Sequence, residues 1–184
     1  MQIRIAEPPD AMAVAQVHVR SWRAAYASLL PAEYLAQMRP EDRAEKYDFA
    51  AADPGSPKTI LATEGDTILG FATTAPSRDH DLASHGELCA LYVDPDRWGQ
   101  GVGSILLAEA HRRLFDQGFS RALLWMLVGN HRADRFYRRG NWLPDGNSRR
   151  QTVWGVTVDE IRYRHPLNGS GESKSAPLFA PARS

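Results

Sequence analysis

Glu87-Leu88-Cys89-Ala90-Leu91-Tyr92-Val93 and, five residues on, Trp98-Gly99-Gln100-Gly101-Val102-Gly103-Ser104 decide the fold. The first run is short, apolar and bounded by Gly86 and the Asp94-Pro95 turn signal, as a buried strand is. The second sets three glycines at alternate positions, after which Val102, Ile105, Leu106, Ala110 and Leu114 recur at helical spacing until Gly118. A glycine-rich strand-to-helix turn leaves backbone N–H groups unpaired at a helix N-terminus, where the macrodipole also favours anions. The stretch therefore predicts a phosphate cradle, with pyrophosphate as its natural ligand.

Spacing excludes two phosphate loops. The dinucleotide fingerprint needs Gly-x-Gly-x-x-Gly/Ala, and its third position falls on Val102 or Leu106 here. The nucleotide P-loop ends in Gly-Lys-Ser/Thr, and no lysine lies near. What remains resembles motif A of the GNAT superfamily, the acyl-CoA-dependent N-acyltransferases, written Gln/Arg-x-x-Gly-x-Gly/Ala, with Trp98, Gly101 and Gly103 at its defined positions. Trp98 departs from the family's Gln or Arg. Since the work is expected from backbone N–H groups, the departure removes one polar contact and need not abolish binding.

A second stretch carries the same resemblance. Leu123 to Val128 reads as another buried strand, followed by Asn130-His131-Arg132-Ala133-Asp134-Arg135-Phe136-Tyr137-Arg138-Arg139-Gly140. This is similar to GNAT motif B, in which an asparagine opens a helix, an aromatic-tyrosine pair sits near its end and a glycine closes it. Asn130 fits an N-cap and Gly140 a C′ position, and Ala133, Phe136 and Tyr137 share one helix face. The two motifs follow in the family's order, about thirty residues apart.

The resemblance covers about residues 2–165 and implies an α/β fold: a mixed central sheet flanked by helices, with splayed central strands forming an acyl-CoA cleft. It implies an acetyl-CoA-dependent N-acetyltransferase whose acceptor is a primary amine of a small molecule or protein, attacking the thioester directly. The pantetheine arm is expected along Leu91, Tyr92 and Val93, and the pyrophosphate on Gly99, Gln100, Gly101, Val102, Gly103 and Ser104 next to Trp98. Asn130 contacts the cosubstrate only if its cap faces the cleft.

Amide formation from a thioester needs a neutral amine, stabilisation of the oxyanion and help for the departing thiolate. Glu87 precedes Trp98 by eleven residues, the spacing at which some lysine-acetylating members of the family carry a general base. A glutamate near pKa 4.3 lies about six units below a lysine ammonium, a direct-transfer penalty of about 8 kcal/mol. Either burial raises Glu87, the site lowers the amine, or ordered water carries the proton while Glu87 orients it; a strand-end glutamate facing solvent is the bland reading. His80 and His85 are weaker base candidates. N–H groups around Leu91 to Val93 would bind the oxyanion if the strand is bulged there. Tyr137 matches the family tyrosine that protonates or hydrogen-bonds the coenzyme A sulfur; hydrogen bonding is the expectation, since a phenol near pKa 10 is a weaker acid than a thiol near 8.5. Trp22 and Tyr26, four residues apart, either wall the acceptor pocket or staple the first helix to the core. Trp142, Trp154 and Tyr163 are further candidate walls.

Composition agrees with one enzyme domain: 184 residues with a 43% hydrophobic share. Without a membrane-length apolar stretch or a signal-peptide core, a cytoplasmic protein is expected. Cys89 is the sole cysteine, and six scattered histidines argue against a metal site. The net charge is zero but uneven. Residues 1–96 hold 8 Lys+Arg against 15 Asp+Glu, a balance of −7, and residues 97–150 hold 10 against 4, a balance of +6. The basic half suits coenzyme A phosphates, within reach of Arg97, Arg132, Arg135 and Arg138, and the acidic half a cationic amine, unless these are simply solvated faces. Neutral total charge, with no second basic stretch to match the arginine-rich helix, argues against a nucleic-acid role.

Strand 2–6, a helix from Pro8 to about Tyr26, helices near 31–38 and 40–52 and a hairpin around Gly65-Asp66 are expected before the Glu87 strand, and strands near 151–155 and 158–164 at the end. The terminal pair has an exposed edge by which the chain could form a homodimer. Residues 1–166 form the domain, and 167–184, rich in Gly, Ser and Pro, read as a disordered tail in which Leu178-Phe179 is a possible docking point. Two other function classes stay open at this level: an acyl-CoA sensor without turnover, and a nucleotide-binding α/β protein.

Overall fold

Period-two and helical patterns build a single seven-stranded sheet in the computed structural model, which describes residues 1–53, 55–153 and 155–167. The strands are β1 (Gln2–Ile5), β2 (Lys58–Glu64), β3 (Thr67–Pro76), β4 (Gly86–Val93), β5 (Arg121–Leu127), β6 (Leu143–Val153) and β7 (Val156–Pro166). They lie in the order β1-β2-β3-β4-β5-β7-β6, and only the β4/β5 pair is parallel. That pair flanks α4 (Val102–Asp116), the crossover helix that follows the glycine turn. No helix among the described residues is long and apolar enough to cross a membrane.

Helices cover both faces of the sheet, so its inner strands are apolar on both sides. Leu61 and Phe71 pack with Val14 and Val17 of α1 (Ala11–Ala25), whereas Ile60, Ala62 and Leu88 pack with Leu106, Ala110 and Leu114 of α4. Tyr137 of α5 (His131–Arg139) and the fully buried Trp142 close the second cluster. Pro8 and Pro9 open the first helical stretch as a 3-10 turn rather than as part of α1.

Three expectations need correction. The helix expected over 40–52 stops after Pro40–Ala44 (α3, preceded by α2, Ala32–Gln37): Lys46 and Tyr47 N–H donate to the carbonyls three residues back, Arg43 and Ala44, each at 3.1 Å, and the Asp48 carboxylate then accepts the N–H groups of Ala50 and Ala51, each at 3.1 Å, in competition with helix bonds. The strand expected at 151–155 begins at Leu143 and ends at Val153: Asp145 to Asn147 interrupt its register against β7 without ending it. Leu167, assigned to the tail, is buried, and its N–H donates to the Ser120 carbonyl at 2.9 Å. The rest of the expected tail, with Leu178-Phe179, and Trp154 lie outside the described residues.

Candidate active site

The parallel pair β4/β5 is joined only at Gly86 with Ala122 and Glu87 with Leu123. Beyond these residues the strands part, and the gap belongs to a cleft of about 1240 Å³. Asp94 N–H donates to the Leu69 carbonyl on β3 at 2.8 Å, which fixes the phase of the antiparallel ladder. Backbone groups of Tyr92 thus face β3, while those of Leu91 and Val93 face the gap. The Val93 carbonyl is already taken, by Ser21 Oγ at 2.9 Å and Trp98 Nε1 at 2.8 Å. Leu91 N–H and C=O and Val93 N–H are the groups left to an extended ligand.

The expected bulge lies elsewhere. Thr73 opposes Ala90 and Thr74 opposes Leu88, so the extra residue is Cys89, not one of Leu91 to Val93. Burial and the neighbouring Glu87 push the Cys89 thiol up to about 12, which keeps it protonated at neutral pH.

At one end of the cleft Gly99 and Gly101 adopt φ of +78° and +83°, a backbone region open to glycine and costly to other residues. A side chain at either would meet nothing within 4 Å, so the turn presents its backbone to open cleft space. Val102, Gly103 and Ser104 form the first turn of α4, where N–H groups have no intrahelical acceptor. This donor set fits a pyrophosphate. The Arg132 guanidinium lies 3.7 Å from the Trp98 ring centre, and Arg97, Arg135 and Arg139 line the same cleft. Arg138 does not: it pairs with Asp134 at 2.7 Å. Gln100 is the residue of the glycine stretch that does not line the cleft; its amide donates to the Asp96 carbonyl at 3.0 Å.

Glu87 sits where the strands part and is 4% exposed, which overturns the solvent-facing reading. Its carboxylate accepts from the Arg78 N–H and guanidinium, both at 3.4 Å. Tyr137 lines the same cleft, and burial together with the nearby Tyr92 moves its phenol well above the ordinary value. Asn130 caps α5 by accepting Ala133 N–H at 3.1 Å and also faces the cleft. Trp22 and Tyr26, edge to face at 4.8 Å, both line the cleft and belong to the core. Trp142 and Tyr163 are core residues and not walls; the Tyr163 hydroxyl donates to Asp134 at 2.5 Å. His80 and His85 lie off the cleft.

Sequence reasoning missed His18, four residues before Trp22 on the same helix face. It lines the cleft, shares a 2.6 Å hydrogen bond with Tyr47 Oη and stacks on Tyr92 at 4.4 Å; burial carries its pKa far below the ordinary range, so it is neutral. It also missed a charged wall. Arg162, 4% exposed, donates to Asp79 (3.0 Å), Asp81 (2.9 and 2.8 Å) and Asp145 (2.9 Å), locking the loop after β3 to β7 and β6. Trp125 Nε1 donates to the same Asp79 at 3.1 Å, and Arg149 lies over the Trp125 ring at 4.0 Å. The acidic half of the sequence does not make an acidic site: Arg43, Lys46 and Arg78 line the cleft beside Asp48 and Glu87.

Comparison with known proteins agrees with this geometry. Residues 19–141 match the acetyltransferase (GNAT) family. The uncharacterized N-acetyltransferase YuaI of Bacillus subtilis is 30% identical over 128 residues, 70% of this chain and 72% of that protein. The probable N-acetyltransferase Rv2775 of Mycobacterium tuberculosis is 28% identical over 170 residues, 89% of this chain and 92% of that protein. Among solved structures, PaiA N-acetyltransferase from Thermoplasma acidophilum, in complex with coenzyme A, superposes with a TM-score of 0.69 at 19% identity, over 90% of this chain and 99% of that one.

Proposed function

The chain belongs to the acetyltransferase (GNAT) family and is an N-acetyltransferase, and we propose that it moves the acetyl group of acetyl-CoA to a primary amine with Glu87 and Tyr137 as its catalytic residues. The observation that carries the assignment is their convergence: a buried carboxylate where β4 and β5 part and a buried phenol on α5 line one cleft with the glycine turn.

The roles follow from the chemistry of each group. N–H groups of the Gly99 to Ser104 turn hold the pyrophosphate, with Arg132, carried on Trp98, at its edge. Leu91 and Val93 pair with the pantetheine arm, and Leu91 N–H faces the developing oxyanion. The thioester supplies an activated acetyl group. Glu87 receives the amine proton, and the rings of Trp22, Tyr26, Phe71 and Tyr92 narrow the gap between carboxylate and ammonium, since a poorly hydrated ammonium is a stronger acid. As the amine nitrogen bonds to the acetyl carbon, the carbon–sulfur bond breaks, Tyr137, kept protonated by burial, donates a hydrogen bond to the leaving thiolate, and the second proton on nitrogen passes to that thiolate to give the free thiol of coenzyme A. Transfer is direct, the amine attacking the thioester itself, and Cys89, a neutral thiol on the cleft wall, takes no part in it. A cytoplasmic setting and a homodimer paired through the edge strand β6 belong to the same proposal.

The test is calorimetric titration with acetyl-CoA, desulfo-CoA and NADH, followed by thiol release across a panel of amines. The expected result is binding of both coenzyme A species, none of NADH, and release that depends on the amine. Binding without release for any amine would favour an acyl-CoA sensor; absence of binding would refute the reading of the glycine turn.

A further inference from the structure

The cleft is also lined by two guanidinium groups to which the steps of acetyl transfer assign no role of their own, those of Arg149 and Arg78. Arg149, on β6, is held by three partners: its Cζ lies 4.0 Å from the Trp125 ring centre, its Nε donates to Glu160 at 2.8 Å and its Nη1 is 3.8 Å from Asp79. Its Nη2 donates to no group among the described residues, and the side chain is 30% exposed. Arg78 reaches the site from the loop after β3. It spends one Nη2 contact on Glu87 at 3.4 Å, long for a charge-assisted bond, and is 77% exposed.

These two cations are not part of the phosphate site. Arg132 and Arg97 flank the glycine turn, whereas Arg78 touches Glu87 and Arg149 approaches Asp79, the next residue in the chain. Asp79 is clamped in turn by Trp125 and Arg162, so Arg78 and Arg149 project from one braced unit into the cleft. A guanidinium seated over a ring and held through Nε keeps its remaining N–H edge confined at low entropic cost. The complement of such a fork is a planar oxyanion, above all a carboxylate.

We propose that the acceptor is a small free amino acid, whose carboxylate is held by Arg149 and Arg78 while its amino group is turned toward Glu87. The inference rests on the transferase reading and narrows its acceptor from any primary amine to one with a carboxylate on the same small frame. A protein N-terminus, whose adjacent carboxyl is an amide, lacks the group these arginines bind.

The experiment uses the full chain loaded with coenzyme A, so that acceptor binding is read without turnover, by calorimetry and by Trp125 fluorescence. The twenty amino acids are compared with matched amines and amides, such as leucine, leucinamide and 3-methylbutylamine, and with the corresponding aminophosphonate. Expected is a preference of roughly ten- to hundred-fold for at least one amino acid over its amide and amine, the usual weight of a charge-assisted pair. Arg149→Gln and Arg78→Gln each reduce that preference at least tenfold without altering the Kd of coenzyme A; Arg149→Lys lies between, since a point charge replaces a fork. Arg78 is so exposed that its replacement reports binding even if Arg149→Gln lowers stability. Equal binding of amine and amino acid, a preference indifferent to both substitutions, stronger binding of the aminophosphonate, or no binding by any amino acid would overturn the proposal. Failure of coenzyme A itself to bind would instead sink the transferase reading beneath it.

Discussion

Gly101→Ala separates the cosubstrate turn from the rest of the molecule. At φ +83° and ψ −8° residue 101 is in the left-handed region, and an added Cβ would meet nothing within 4 Å, so the only cost is backbone strain. For a residue with a side chain that strain is about 1–2 kcal/mol. The free protein can relax the turn and escape much of it. A bound pyrophosphate, which needs the N–H groups in their present directions, cannot allow that, and the strain therefore appears in the dissociation constant. At about 1.4 kcal/mol per tenfold, acetyl-CoA binding weakens by about 5- to 30-fold. Gly65→Ala is the control: Gly65 has φ +57°, equally open surroundings, and a place in the β2–β3 hairpin away from the cleft. It should lower stability by a similar amount, about 2–8 °C in Tm for a chain of this size, and leave binding unchanged. Calorimetry with acetyl-CoA and with S-acetylpantetheine, which has no pyrophosphate, reads the difference, and only the first ligand should be affected. The reasoning fails if Gly101→Ala binds acetyl-CoA within twofold of the parent while Gly65→Ala shows the stability loss.

Three further outcomes are expected. Tyr137→Phe should lower kcat by about 10²–10³-fold, the usual loss of a donor aimed at developing negative charge, with the KM for acetyl-CoA little changed; a loss confined to KM would make Tyr137 a packing residue. Arg162→Met leaves Asp79, Asp81 and Asp145 facing one another without their shared cation and should cost about 3–5 kcal/mol in chemical denaturation, with a cost below about 1 kcal/mol counting against the brace. His111 accepts Trp142 Nε1–H at 3.2 Å and is pushed down to about 4, first by burial and then by His165. Because the folded state then binds fewer protons than the unfolded chain between pH 6.5 and 4, this contribution is complete above pH 6.5. It drains away as pH falls toward 4, by up to about 3 kcal/mol less a discount for partial exposure. In His111→Gln, whose amide oxygen can still accept from Trp142, urea denaturation at pH 7, 5 and 4 should show a shallower slope.

The proposed cosubstrate half of the cleft takes a local form that the sequence carries. A left-handed turn demands glycine at fixed positions, and a helix that presents its first N–H groups must begin a few residues later, so Gly99, Gly101 and the periodicity from Val102 were sufficient. Asn130 was legible for the same reason, its cap spanning three residues. The acceptor half is built from distant side chains. Arg162 and Asp79 are 83 residues apart, and no spacing rule links the loop after β3 with β6 and β7. The Cys89 bulge was misplaced because a bulge is a property of two strands in register, and β4 alone carries no mark of it. His18 was passed over because on one apolar helix face a core histidine and a cleft histidine have the same pattern.

Trp98 illustrates how a departure from a family pattern can keep a turn in place. The position was expected to lose a polar contact where Gln or Arg stands in the family. Its indole N–H instead donates to the Val93 carbonyl, and its ring carries Arg132, so a cation reaches the turn from α5. That carbonyl also accepts Ser21 from α1, which joins three segments at one oxygen: the end of β4, the entrance to the glycine turn and the helix bearing His18, Trp22 and Tyr26. Since Val93 is the last residue of β4, pinning its carbonyl from both sides fixes where the strand ends and therefore where α4 presents its N–H groups. The same pin removes one acceptor from the cleft, leaving Leu91 to supply the carbonyl to an arm lying along β4. The proposed acceptor wall on α1 and the proposed cosubstrate turn are thus tied to one strand end through two hydrogen bonds to a single backbone atom.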